Sequence, residues 1–158
     1  MAKKDPVREQ VTALLRGGNA HLGFEDAIQG FPAKLRDVKP QGLPHSAWEL
    51  LEHMRIAQWD ILEFSRNPKH ASPAWPSGYW PENKTPSEAA WKKSIVSFKK
   101  DLAAMEKLVS TPKTNLYSKI PHGEGQNILR EALLVADHNA YHIGQLVLLR
   151  RLLGIWRD

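Results

Sequence analysis

The chain has 158 residues, 42% hydrophobic and 25% charged, a balance that suits one globular domain over 1–158 with a core large enough to fold alone. Its net charge is +5 and it has no cysteine, which excludes disulfides, thiolate metal ligands and a cysteine nucleophile, so any sulfur chemistry must come from a ligand. No run approaches the roughly 18 apolar residues of a membrane span, and Met1-Ala2-Lys3-Lys4-Asp5-Pro6 leads into no signal-type stretch; a cytoplasmic protein is expected.

The first helix opens at Asp5-Pro6 and stops at Gly17-Gly18, with a shorter helical piece from Phe24 to Gln29 before Phe31-Pro32. Ser46-Ala47-Trp48-Glu49 is a capping box, and the second helix that it opens runs to Asn67-Pro68. Thr85-Pro86-Ser87-Glu88 reads as another box, with proline at the first helical position, for a third helix ending near Ser110-Thr111-Pro112. In it Trp91, Ile95, Phe98, Leu102, Met105 and Val109 alternate steps of four and three, the seam of a helix packed in a bundle. The fourth helix starts around Asn127 and persists to Leu153, where Gly154 supplies a stop. No segment keeps a strand period over a useful length, so the expected fold is an all-α four-helix bundle with a long middle connection.

That connection, residues 67–84, carries four prolines and three large aromatics, Trp75, Tyr79 and Trp80. Aromatic content argues against disorder, and an ordered loop is expected, sealing a bundle end or walling a pocket. The fourth helix is apolar almost all round, from Leu129 to Leu153, which exceeds one core stripe and predicts a homodimer interface. Lys92, Lys93, Lys99, Lys100 and Lys107 share a helix with Glu88, Asp101 and Glu106, and Arg150 with Arg151 suits a helix C-terminus. Charge so scattered reads as solvated faces, and no nucleic-acid partner is expected.

The chemistry-bearing segment is Asp137-His138-Asn139-Ala140-Tyr141-His142-Ile143-Gly144-Gln145. Residues four apart share a helical face, so His138 and His142 can close on one ion. Chance supplies about 0.3 such pairs in a chain with seven histidines, and an isolated pair serves equally as a solvated or core-capping feature. If His53, inside the second helix, joins the pair, three nitrogens leave a position for water or substrate, as in catalytic metal sites. Glu131 and Gln145 lie seven residues either side of His138, and Glu49 and Asp60 lie on the face of His53. Asp60 or Glu49 could orient a ligand imidazole, although the cap competes for Glu49 and a surface ion pair for either. His45, at the mouth of the second helix, and His122, in a Gly-rich loop, read as solvent-exposed residues more readily than as pocket-lining ones, and His21 and His70 read as incidental.

His45-Ser46-Ala47-Trp48-Glu49-Leu50-Leu51-Glu52-His53, followed after about 80 residues by His138-Asn139-Ala140-Tyr141-His142-Ile143-Gly144-Gln145, resembles the DinB/YfiT-like superfamily of metalloenzymes, which is unrelated to the similarly named DNA polymerase. The resemblance covers nearly the whole chain, including helix order and the long connection. It implies a four-helix bundle, often dimeric, that binds a divalent metal through one histidine of the second helix and the H-x-x-x-H pair of the last, here His53, His138 and His142. Relatives include S-transferases and isomerases that use low-molecular-weight thiols, while many members have no established reaction. The functional expectation is a Zn²⁺- or Ni²⁺-dependent enzyme acting on a small molecule, a thiol-dependent S-transferase or a hydrolase, with a non-catalytic metal- or ligand-binding stress protein as the alternative.

Overall fold

The four long helices of the described residues start at side chains that accept from the first free amides. In the computed structural model, which describes residues 5–156, Asp5 Oδ1 accepts from Val7 N at 3.1 Å and Arg8 N at 3.3 Å. Pro6 then occupies the first position of α1 (Pro6–Arg16), which stops at Gly17 with φ 72°. Residues 1–4, part of the segment read above for a leader, lie outside the described residues. A short α2 (Phe24–Ile28) and a 3-10 turn at Ala33–Leu35 follow. Ser46 and Glu49 form the reciprocal box expected of α3 (Ala47–Arg66).

The next helix, α4 (Glu88–Ser110), corrects one expectation. Ser87, not Thr85, caps it, accepting from Ala90 N at 3.1 Å, so Pro86 precedes the cap. Thr85 is engaged elsewhere, its hydroxyl donating to Asp37 Oδ2 at 2.8 Å. Asn127 Oδ1 accepts from Arg130 N at 2.8 Å and opens α5 (Ile128–Leu152); Gly154, with φ 67°, ends it.

The described residues form helices, turns and loops with no β-strand, only an isolated bridge between Lys119 and Asn127. α3 packs against α4 and α5, and α1 packs against the same two. Their apolar stripes meet in two clusters. One gathers Leu51 and Met54 of α3, Trp91 and Phe98 of α4, and Ile143, Leu146 and Leu149 of α5 around Phe24 and Ile28 of α2. The other gathers Val11 and Leu15 of α1, Leu62 of α3, Met105 and Val109 of α4, and Ile128, Ala132 and Val135 of α5. Along α3 and α5 the two are separated by a buried polar layer. Gln58 Nε2 donates to Phe98 O at 2.7 Å, while Gln58 Oε1 accepts from Asn139 Nδ2 at 2.8 Å. The Gln58 amide is thereby paired at both ends out of water, and its bond to Asn139 sets the axial register of α5 on α3. The histidines of the sequence motif stand at this level.

Two further expectations are modified. Arg150 is buried rather than solvated, because its Nη1 donates to the carbonyls of Ala27 at 3.1 Å and Gln29 at 2.8 Å at the end of α2 and its guanidinium lies over the Phe31 ring. The apolar surplus of α5 is covered in part by α2, whereas Leu133, Tyr141, Leu148 and Leu152 remain exposed. The connection after α3 is ordered and lies along that helix: Trp48 Nε1 donates to Asn83 O at 2.7 Å, and Lys84 Nζ sits 3.1 Å from Glu49 Oε1. Among the described residues no helix is long and apolar enough to cross a membrane.

Candidate metal centre

His53 projects from the middle of α3, and His138 and His142 project from consecutive turns of α5. Because the polar layer holds these helices in register, the three rings converge. Ring centroids are 4.9 Å apart for His53 and His138, 4.7 Å for His53 and His142, and 4.5 Å for the α5 pair. One nitrogen from each ring lies within 4.8 Å of the others, and His53 Nε2 is 3.1 Å from His138 Nε2. His53 and His142 are buried.

Outward hydrogen bonds orient two of the rings. His53 Nδ1 lies 2.9 Å from the Tyr79 carbonyl and His142 Nδ1 lies 2.7 Å from Gln145 Oε1. A carbonyl oxygen can only accept, so in both rings the proton sits on Nδ1 and the lone pair on Nε2. His53 Nε2 can then only accept, and its 3.1 Å approach to His138 Nε2 calls for a proton or a metal ion between them. Tetrahedral coordination with bonds of 2.0–2.1 Å separates ligand nitrogens by about 3.3 Å. Donor type, donor separation and the carbonyl partners therefore fit a divalent ion with an open position.

The electrostatics favour neutral imidazoles. Burial pushes His138 down to about 4, with the neighbouring His142 and His53 as lesser causes. Burial also lowers His53 against the opposing pull of the Tyr79 carbonyl, and lowers His142 against that of Gln145. Neutral imidazole is the form that coordinates a metal.

The long connection forms one wall of the cluster. Trp80 lies flat on His53 at 4.1 Å and 8°, and His45 stacks on the opposite face of Trp80 at 4.0 Å and 19°. Tyr141 meets His142 edge-on at 4.9 Å. Glu49 and Asp60, the two candidate orienting carboxylates, and Glu131 are all engaged elsewhere. Glu49 completes its cap and meets Lys39 and Lys84, Glu131 pairs with Arg130 at 2.6 Å, and Asp60 holds His70 and Tyr79 at 2.7 Å each. Neither Asp60 nor Glu49 reaches a cluster imidazole, because a loop carbonyl has taken the place beside His53. His70 is not incidental, since it ties the connection to α3. His122 Nε2 instead contacts Phe64 O at 2.6 Å.

The model of the DinB superfamily matches residues 23–146, which include all three histidines and the connection between α3 and α4. The chain belongs to the DinB superfamily. No curated protein and no solved structure matches it significantly. The superfamily match ends before the last turns of α5 and begins after α1, so it rests on the segment that builds the histidine cluster. Within that segment the spacing of the histidines was readable from sequence. The Tyr79 carbonyl and the Trp80 stack were not: the only signal was the aromatic content of the connection, since a backbone acceptor has no residue signature.

Proposed function

We propose that this member of the DinB superfamily is a divalent-metal-dependent enzyme in which His53, His138 and His142 hold Zn²⁺ or Ni²⁺, with a low-molecular-weight thiol as cosubstrate for transfer to a small electrophile. The convergence of three neutral imidazoles from α3 and α5, with two Nδ1–H groups spent on carbonyl oxygens, carries this reading. A bound divalent ion would supply Lewis acidity that brings the pKa of a thiol or a water into the neutral range. The chain's own residues provide the surroundings. Tyr79 and Gln145 hold two imidazoles in one tautomer, and Trp80 shields His53 from water on one face. Glu49, Asp60 and Glu131 are each committed to other partners, so the acidity of a thiol or a water at the site would come from the ion, and the proton would leave to solvent.

In this reading α1, α3, α4 and α5 form the family's four-helix bundle as one domain over 1–158. The protein acts in the cytoplasm as a homodimer joined through the exposed Leu133, Tyr141, Leu148 and Leu152 of α5. The test is turnover after removal of metal by a chelator and reloading with Zn²⁺ or Ni²⁺, following loss of both thiol and electrophile. Ion-dependent turnover that consumes thiol is expected. Electrophile hydrolysed without thiol loss would assign a hydrolase instead, and equal rates in stripped and reloaded protein would overturn metal dependence.

A further inference from the structure

Asp60 lies two helical turns beyond His53 on α3 and is buried. Both of its oxygens are spent on the connection that follows the helix. Oδ1 is 2.7 Å from His70 Nε2, and Oδ2 accepts from the Tyr79 hydroxyl at 2.7 Å. Burial, with the Asp60 carboxylate as the next cause, pushes the Tyr79 phenol up to about 12, so its hydroxyl remains a donor throughout the neutral range. The main chain of the same tyrosine carries a second function, since its carbonyl accepts from His53 Nδ1 at 2.9 Å. The next residue lays the Trp80 ring on His53, and His45 backs that ring from its other face. Just before Tyr79 the turn is closed tightly: a Cβ at Gly78 would stand 2.8 Å from Pro73 Cβ. One segment therefore supplies the hydrogen-bond acceptor and the stacking surface of His53, and Asp60 fastens that segment to the helix from which His53 itself projects.

We propose that Asp60 is a positioning residue for His53, acting through the Tyr79 hydroxyl to hold the Tyr79 carbonyl and the Trp80 ring where they set the tautomer and plane of the imidazole. The proposal rests on His53 being a metal ligand for its consequence, but not for its geometry. The outer N–H of a metal-ligating histidine is ordinarily taken by a carboxylate, a backbone carbonyl or water. Here a backbone carbonyl takes it, and the carboxylate fixes the carbonyl. A side chain that only held a loop down would contribute to stability without affecting which nitrogen of His53 bears the proton.

The experiment compares Asp60→Asn and Tyr79→Phe with the wild type in two measurements near neutral pH. Imidazole ¹H–¹⁵N spectra of chelator-treated protein report the tautomer of His53 and the exchange of its Nδ1 proton, and Co²⁺ titration against a chelating competitor reports affinity. In both variants the His53 Nδ1 proton should exchange about 10-fold faster with a mixed tautomer, while that of His142, held by Gln145, stays as in wild type. The Co²⁺ dissociation constant should rise by about 10-fold. Tyr79→Phe removes a single hydroxyl and serves if Asp60→Asn fails to fold. Variants that lose thermal stability but keep the wild-type His53 signal and Co²⁺ affinity would overturn the proposal. A wild type that takes up no Co²⁺ would overturn the metal reading instead, and the His53 signal would then decide the positioning role alone.

Discussion

Burial of three imidazoles next to one another carries a cost in acid. Each is pushed below its ordinary value, His138 to about 4. Between that value and 6.5 the unfolded chain binds a proton at His138 that the folded chain does not, so stability rises with pH across this window and falls as pH drops through it. Urea unfolding of chelator-treated protein at pH 5 should therefore give a stability lower by about 1–2 kcal/mol than at pH 7, allowing for the partial exposure of His138. His138→Gln should flatten that dependence; an unchanged slope would assign the loss to other groups. Glu49, held down to about 2 where Ser46, Lys39 and Lys84 satisfy it against the opposing effect of burial, loses its contribution in a separate window below pH 4.5. The His138–His142 pair was legible in the sequence because i,i+4 spacing is a property of any helix, whereas His53 was attached to it through the family resemblance. The partners of Asp60 were not, because helix periodicity places Asp60 on the face of His53 yet says nothing about a connection folding back to occupy it.

Helix boundaries show the same division between local and tertiary rules. Asp5, Ser46 and Asn127 cap where local pattern places them, since capping depends on residues three apart. Thr85-Pro86-Ser87-Glu88 offers two hydroxyls, and the choice between them depends on Asp37, remote in sequence, which engages Thr85. Ser87→Ala is therefore expected to lower stability by about 1 kcal/mol, and Thr85→Ala, which breaks only an exposed hydrogen bond, by less than half of that. Thermal unfolding of the two variants distinguishes them, and an equal or inverted order would return the cap to Thr85. The seam of α4 was likewise legible. Trp91, Phe98, Met105 and Val109 are buried and Ile95 and Leu102 pack beside them, as alternating steps of four and three require.

Across the whole molecule, two apolar clusters carry the packing and a polar layer between them carries the candidate chemistry. Division of the core was not legible, because Gln58 and Asn139 read in sequence as ordinary polar residues of helices. Their pairing requires the register of α3 against α5. The exposed α5 stripe bears on assembly: Tyr141→Glu with Leu148→Glu should convert a dimer to a monomer in light scattering without loss of helix content, whereas a monomeric wild type across micromolar concentrations would remove the dimer. The most direct test of the metal centre is elemental analysis of protein purified without a nickel column, comparing the wild type with His53→Ala, His138→Ala, His142→Ala and His21→Ala, each checked for helix content by circular dichroism. About one divalent ion per chain is expected in the wild type and in His21→Ala, with strong loss in the other three. Full retention of the ion in folded His142→Ala would contradict the three-histidine site.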